Sequence, residues 1–500
     1  MFAMSHKPHV VIVGGGLAGL SAAVRLAQSQ RARVTLLETR RKLGGRATSF
    51  IDPKSGEQVD NCQHVLMKCC TYLIDLYKRL GVYELIEWHD RLHFVGEHGE
   101  HDVLRRQPFV GILPGARAPF HLTRSILGFR SLTFAEKRAL ARAMFAMMRL
   151  GDRRLDMDGQ TFGDWLATQR QPQSLIDKFW QLVIVSACNE PVERVSCKYA
   201  MQVFIEGFLG HEDAYVMGVS KAPLVSLYDP AVAAIEQAGG EVRLGAGVEE
   251  LVFDENMNRV TAARLTRGGE VEGDIFISAL TADRLAKVST DAMRRRDARL
   301  QRLDEFDYTP IVGMHLFISR QAGELDVPFA SGGGVALMNR PLHWVFDKGP
   351  VDNEHGPSHY FHGVISGAND LMDTPAAEIV AMALDELRRA FPQMMAGREL
   401  VHGNAVKEKR ATFACVAGVD ALRPPPGSTP GNSDADIQGI SNLVLAGDWT
   451  ATGWPATMEG ATRSGYRAAQ AALEAAGLTG EEAMPAERLP PRAVVRWLAG

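Results

Sequence analysis

The sequence predicts an α/β and α+β protein: a Rossmann-type domain gathered from separated stretches of chain, plus a second domain of mixed sheet and helix. Three observations predict it. An apolar, β-branched run, His9-Val-Val-Ile-Val13, enters the series Gly14-Gly15-Gly16-Leu17-Ala18-Gly19 and then a helical pattern with Leu20, Ala23, Val24 and Ala27 on one face. A second apolar run, Arg33-Val-Thr-Leu-Leu37, ends at Glu38. Near the C-terminus, Asn442-Leu-Val-Leu-Ala446 stops at Gly447-Asp448, and Thr457-Met458-Glu459-Gly460-Ala461 opens a last helix.

Each element has a physical reason. Strands buried on both faces of a parallel sheet are continuously apolar, as the first two runs are. Gly14 permits the tight turn, Gly16 lets backbone approach a diphosphate, and Gly19 lets helix and strand pack closely. The helix beginning at Leu17 and Ala18 points its free N–H groups at the phosphates. Glu38 stands where a ribose hydroxyl needs an acceptor, and its charge disfavours a 2′-phosphate. This fingerprint alone does not separate FAD from NAD. Leu43-Gly44-Gly45-Arg46 favours FAD, because the glycine pair brings backbone close to a ligand and an arginine can fork onto a diphosphate. The block Gly240 to Phe253, with Val248 assigned to the cofactor site, and Asp274 to Ala279 return as strands to the same domain. The last helix would set N–H donors and a positive dipole end at the flavin pyrimidine edge, with Thr457 and Met458 at its start. Asp448 would accept from a ribityl hydroxyl, or cap the helix in solvent.

At 500 residues the chain is long enough for two or three domains. A net charge of −4 gives no reason to expect nucleic acid as partner. The six cysteines (Cys62, Cys69, Cys70, Cys188, Cys197 and Cys415) lack metal-ligand spacing and read as reduced thiols, with Cys69 and Cys70 facing different ways on a helix. No metal is expected. Met1 to Pro8 is too short and polar for a signal peptide, and the longest uncharged apolar stretch, Phe179 to Asn189, is short of the ~20 residues that span a bilayer.

Together these motifs resemble the flavin amine oxidase and phytoene desaturase superfamily. Gly14 to Leu20, Gly44-Gly45-Arg46, Leu445 to Asp448 and Met458 to Ala461 carry the resemblance. Three stretches look closer to one branch, the squalene-associated hydroxysqualene dehydroxylases: Asp60-Asn61-Cys62-Gln63-His64-Val65-Leu66, Phe179 through Val192 to Ala200, and Gly447 to Gly460. Cys62 stands where many members carry glycine. The resemblance implies a discontinuous Rossmann-type FAD-binding domain (GR2-like) and reductive loss of the allylic hydroxyl of hydroxysqualene, giving squalene for hopanoid synthesis. It implies a long-chain triterpene substrate, an upstream squalene- or hydroxysqualene-synthase-type enzyme as partner, and a cytoplasmic protein peripheral on the inner face of the membrane. A carotenoid-type desaturase or isomerase is the enzymatic rival. A prenyl-lipid carrier of the GDP-dissociation-inhibitor type is the non-enzymatic one, opposed by the intact glycine motifs.

The chemistry needs an acid for the leaving water. His64 is one candidate, since an imidazole titrates near working pH, or it holds its loop by a backbone hydrogen bond. Glu190 is the other if burial raises its pKa, although Asn189-Glu190-Pro191 is also turn and cap chemistry. Glu459 reads as a first-turn carboxylate on the helix dipole. Trp449 and Trp454 flank the flavin motif, either beside the ring or in the core. The stretch 103–154 holds eleven Lys/Arg against two acids, interleaved with Phe109, Ile112, Leu113, Phe120, Leu127 and Phe134. Its amphipathic helix, Phe134 to Leu150, carries Met144, Phe145, Met147 and Met148, and suits an interfacial anchor or a solvated basic face. The tail around Trp497 adds a second contact. The expected FAD domain comprises 1–85, 223–285 and 437–477; the substrate domain comprises 86–222 and 286–436, and 478–500 is a tail.

Overall fold

The computed structural model describes residues 7–107, 117–256, 258–320, 325–329, 333–353, 356–427, 439–478 and 483–499. Phe109, Ile112 and Leu113 of the basic stretch, and Ile437 with most of the Pro/Gly/Ser-rich connector before it, lie outside the described residues.

The continuous apolar character of the first strand follows from what covers it. Val10 and Ile12 pack with the Leu17–Ser29 and Met458–Ala475 helices on one face. Val11 and Val13 face the other way, with Leu251, Val260 and Ala263 of a three-stranded antiparallel sheet. Five parallel strands form the nucleotide sheet, in the order Glu241–Leu244, Arg33–Glu38, His9–Val13, Ile275–Ser278, Leu443–Leu445. Counted along the chain this is third, second, first, fourth, fifth. The order reverses beside the first strand, and the crevice outside the strand ends there is where such sheets take ligands. Val248–Phe253 does not join this sheet; it pairs antiparallel with Val260–Leu265.

The two helices on the sheet cross at backbone contact. A Cβ on Gly465 would lie 2.1 Å from Ser21 Oγ and 2.2 Å from the Ala18 carbonyl.

The second domain is built on a seven-stranded sheet ordered Leu400–Phe413, Tyr308–Ser319, Gly356–Ser366, Trp344–Asn353, Gly334–Leu337, Arg91–Val95, His101–Arg105. The early hairpin joins through a parallel pairing, Val335 opposite His93. One face of this sheet, with Val312, Met314 and Leu316, packs on the Ala376–Ala390 helix. The other face looks toward the nucleotide domain. A small sheet in which Met217–Ser220 pairs with both Val65–Met67 and Ile86–His89 ties together segments on the two sides of the expected domain boundary.

The Phe134–Leu150 helix begins with a capping box, Thr133 with Glu136. Its inward face holds Leu140, Ala143, Met147 and Met148, so the last two methionines belong to the core and not to an interfacial face. Phe134 and Phe145 remain exposed. The tail forms a short helix, Ala493–Leu498, that closes against the end of this one: a Cβ on Gly151 would lie 3.0 Å from Ala499. Among the described residues no helix is long and apolar enough to cross a membrane.

Candidate active site

A cavity of about 1180 Å³ runs from the ends of the nucleotide strands to the inner face of the large sheet. Gly14, Gly16, Leu17, Ala18, Glu38, Gly44, Gly45, Arg46, Val248, Gly447, Asp448, Thr457 and Met458 all line it, as does His64. Gly19 does not, and its work is packing. A Cβ there would lie 1.9 Å from the Gly14 carbonyl, so only glycine lets the helix leave the strand this tightly.

The diphosphate position is made of backbone. Gly16 caps the Leu17–Ser29 helix without a side-chain hydrogen bond, leaving the first-turn N–H groups for a ligand. Gly45, at φ +62°, lies against it; a Cβ would stand 2.9 Å from Gly16 Cα, and Gly44 N–H donates to the Gly15 carbonyl at 2.9 Å. Glu38 is held by two backbone donors, Gly15 N–H and Arg40 N–H, both at 2.7 Å. Its position beside Thr39, Ala246 and Val248 suits a ribose at the nucleotide end. Arg46 differs from its expected role. Its guanidinium donates to Asp448 at 2.6 Å and to the Ala411 carbonyl at 3.0 Å, so the fork expected on a diphosphate is turned on Asp448. The two residues are one ion-paired unit in the cavity wall. Thr457 accepts from Gly460 N–H at 3.0 Å and caps the last helix, whose start faces the cavity. An uncapped helix start, two glycine turns and a second helix N-terminus along one cavity fit a dinucleotide carrying a flavin.

Glu459 is fully buried and does more than meet its own dipole. It accepts from Tyr72 and Leu73 N–H at 3.1 and 2.8 Å and pairs with Arg463 at 2.7 Å, capping the Thr71–Arg79 helix across the domain. Trp449 is core: it donates to the Leu280 carbonyl at 3.0 Å and meets Phe306 edge-on. Trp454 lines the cavity, with the Arg463 guanidinium 4.6 Å from its ring centre.

His64 stands where the polar end of the cavity meets the apolar end. Its Nδ1–H donates to the Cys62 carbonyl at 2.8 Å, leaving Nε2 for the cavity. The backbone hydrogen bond of the second reading is present, and it involves only one of the two nitrogens. Burial pushes its pKa below the usual value, opposed by the Cys62 carbonyl and by the charges of Asp60 and Glu408. Cys62 adopts no positive φ, so a glycine is not required there. Cys69 and Cys70 are not helical neighbours facing apart: both precede the Thr71–Arg79 helix, Cys70 at its N-cap position without a side-chain cap, and the thiols interact, raising the Cys69 pKa together with burial.

Glu190 does not line the cavity, a correction to its candidacy as acid. It is buried behind the wall, accepts from the Thr309 hydroxyl and pairs with Arg194 at 3.2 Å; burial raises its pKa. Cap chemistry explains the motif. Asn189, at φ +58°, ends the Gln181–Cys188 helix. Its side chain bonds the Thr309 carbonyl, Thr412 Oγ1 and Gly367 N–H, pinning the helix to the large sheet.

Beyond His64 the lining is mostly apolar: Leu92, Phe94, Trp344 and Phe346 from the sheet face Leu182 and Val203 from the helices, with Ser186 and Glu206 among them. Trp344 Nε1 donates to Ser186 Oγ at 2.8 Å and ties the two walls. Gln202, which sequence reasoning missed, also lines this space, and its Oε1 is buried without a hydrogen-bond partner among the described residues. Its neighbour in sequence, the π-type turn Ile205–Leu209, is a distortion common at functional sites. Nothing in the one-dimensional pattern marks a lone helical glutamine as cavity lining.

The fold and the site define a flavoprotein oxidoreductase. The family described as "Flavin containing amine oxidoreductase" matches residues 17–473, and the chain belongs to it. It binds FAD. The 15-cis-phytoene desaturase of Synechococcus elongatus is 25% identical over 490 residues, covering 93% of this chain and 95% of that protein. The zeta-carotene desaturase of Arabidopsis thaliana is 23% identical, covering 92% and 84%. Among solved structures, an oxidoreductase from Methanosarcina mazei superposes with a TM-score of 0.63 at 16% identity, covering 91% of this chain and 98% of that one. A putrescine oxidase variant superposes at 0.65 and 17% identity, covering 94% and 99%. These two likenesses speak for the fold.

Proposed function

We propose that the protein removes the allylic hydroxyl of hydroxysqualene reductively, giving squalene, and takes its substrate from the cytoplasmic face of a membrane. One observation carries the reading: His64, Gln202, Glu206 and Ser186 set polar groups along a cavity end otherwise lined by apolar side chains, which suits a hydrocarbon that carries a hydroxyl. Asp60 to Leu66 and Gly447 to Gly460, the stretches that resemble the dehydroxylase branch, supply residues on the polar side of the same cavity.

Reduced FAD, when bound, supplies a hydride from N5. His64 Nε2 carries the proton that leaves with the hydroxyl as water. Loss of water from an allylic alcohol leaves a delocalised cation, and the faces of Trp344 and Phe346, stacked 5.7 Å apart, suit it. The Leu182 and Val203 wall excludes water until hydride arrives.

Desaturation of a polyisoprenoid is the second reading, favoured by the desaturase relatives and by a neutral His64, whose free Nε2 is then a base. The test is anaerobic incubation of the reduced holoprotein with hydroxysqualene. Flavin reoxidation with squalene appearing supports the proposal. No reoxidation, with oxidised protein turning over a polyene precursor, overturns it in favour of the second.

Membrane contact is part of the same proposal. Phe120, Leu127, Phe134, Phe145 and Leu155 are exposed, as is Trp497 on the tail helix, among the exposed cations Arg138, Arg142 and Arg149. Apolar side chains among cations fit an anionic leaflet. The product's precursor would come from a hydroxysqualene-synthase-type enzyme working on the same membrane.

A further inference from the structure

The hairpin of Arg91–Val95 and His101–Arg105 has a different chemistry on each face. Leu92 and Phe94 line the large cavity, while the alternate residues Arg91 and His93 line a second cavity, of about 480 Å³. Arg91 stands opposite Arg105 and His93 opposite Val103, so Arg105 and Val103 share the second face, and both line that cavity. The facing wall is the Thr123–Gly128 helix with the turn after it, which supplies Arg124 and Arg130. Ser125 fastens the two walls. Its Oγ donates to the Val103 carbonyl at 2.7 Å and accepts from Arg105 N–H at 3.0 Å, so the helix rides along the edge strand. Arg130 adds a bond to the His101 carbonyl at 3.2 Å.

Four guanidiniums (Arg91, Arg105, Arg124 and Arg130) and two imidazoles (His93 and His101) thus converge on one small space. Among the described residues the lining holds a single acid, Asp102, and its oxygens are already taken by backbone. Oδ1 accepts from Arg130 N–H at 2.8 Å and Oδ2 from Ser131 N–H at 3.0 Å. Asp90 lies 4.0 Å from Arg91, with both side chains exposed. His93 Nδ1 and His101 Nε2 are 3.2 Å apart, so in the neutral pair one ring donates to the other and one outer N–H is left for a further partner. Burial, and then the charges of His101, Arg91 and His89, push the His93 pKa down to about 4. A solvated basic face spreads its cations; here they point into a shared cavity whose negative charge is missing.

We propose that this second cavity binds the phosphate of an anionic lipid headgroup, held by Arg91, Arg105, Arg124 and Arg130. A planar guanidinium donates in pairs to phosphate oxygens, and several around one site suit a group with more than one negative charge. The rim points to a lipid as the source. Leu127, on the same short helix as Arg124, is 52% exposed, and Phe120 just before it is 53% exposed. Acyl chains beside a bound headgroup cover such side chains, and a free phosphate leaves them in water. The inference deepens the membrane reading above by naming the group that is held, and it rests on that reading for the lipid source alone. It is independent of which isoprenoid is turned over. Because the hairpin that grips the headgroup also carries Leu92 and Phe94, a bound lipid sets that wall of the large cavity against the leaflet.

The test uses the FAD-loaded full chain and no isoprenoid. Two vesicle preparations are matched in zeta potential, phosphatidylcholine carrying phosphatidic acid and phosphatidylcholine carrying oleate, so that a diffuse basic face binds both alike. In sedimentation the wild-type protein should prefer the phosphatidic acid vesicles about tenfold or more. Arg91→Ser with Arg105→Ser should abolish that preference. Arg138→Ser with Arg142→Ser removes the same charge from the Phe134–Leu150 helix, and should weaken both vesicle types while keeping the preference. The second arm uses soluble glycerol phosphate and inorganic diphosphate. In NMR of the histidine rings, either one should move the titration of His93 to higher pH in the wild-type protein and not in the Arg91/Arg105 variant, whose melting temperature checks its fold. A preference that survives in that variant, or no response of His93, overturns the site. A His93 response without any vesicle preference overturns the lipid source and gives the cavity to a soluble phosphate compound. Failure of the wild-type protein to bind either vesicle sinks the membrane reading, whereas the His93 response tests the cavity alone.

Discussion

At the nucleotide end of the cavity backbone meets backbone: Gly45 against Gly16, Gly19 against the Gly14 carbonyl, Gly44 N–H on the Gly15 carbonyl. At the substrate end side chains meet side chains, and they come from strands and helices as distant in sequence as Phe94, Leu182 and Trp344. The first arrangement tolerates no added atom, because the contact distances belong to the main chain. The second tolerates many shapes, because apolar volume can be redistributed among rotamers. A shared cofactor and a variable substrate ask for these two constructions.

The sharpest way to break the comparison is at the glycines. Gly19→Val should abolish FAD retention and lower stability by more than about 3 kcal/mol, seen as colourless, poorly folded protein. Val203→Phe, adding volume at the other end, should leave the flavin spectrum and FAD affinity unchanged while changing turnover. If Gly19→Val holds FAD normally, the backbone account of the nucleotide end is wrong.

Next in size, His64→Phe should cut turnover about a hundredfold or more with FAD binding intact, measured by single-turnover flavin reoxidation. A comparable loss of FAD would instead make His64 part of the cofactor site. Gln202→Leu sharpens the substrate end: turnover of the alcohol should drop about tenfold and that of a polyene should not.

The buried histidines also predict a pH dependence of stability. Burial lowers the His315 pKa from 6.5 to about 4, so between these values the unfolded chain binds a proton that the folded one does not. Stability is full above about pH 6.5 and is lost as pH falls toward 4, by about 3 kcal/mol for this residue. The His315→Phe variant should flatten that slope in chemical denaturation, and a slope identical to wild type would count against a neutral buried ring. The smallest effect belongs to the surface. Phe134→Ser with Trp497→Ser should change stability by less than about 0.5 kcal/mol yet weaken sedimentation with anionic vesicles severalfold.

The nucleotide end was legible because its signals are local. A turn that needs Gly14, a helix start at Leu17 and an acid at the end of the next strand lie within a short span, and each constrains its own backbone. The helix Phe134–Leu150 was legible for the same reason, its apolar spacing being local. Glu459 was legible as a first-turn acid but not as the cap of the Thr71–Arg79 helix, because that partner lies far back in the chain. Gly465 gave no sign of the helix crossing it permits. Glu190 looked like a buried acid in an apolar run, and buried it is, yet the αL turn at Asn189 carries it behind the wall.

By itself the sequence determined the class of cofactor and which stretches of chain supply the parallel sheet, because strand burial and glycine turns are written in neighbouring residues. Only the tertiary structure decided what stands beyond the flavin. The hairpin at 91–105 had to find the strands of 308–413 before Phe94 could face Trp344, and His64 had to meet a sheet face bearing His362 and His315. Such meetings depend on long-range strand pairing, whose register no local pattern records.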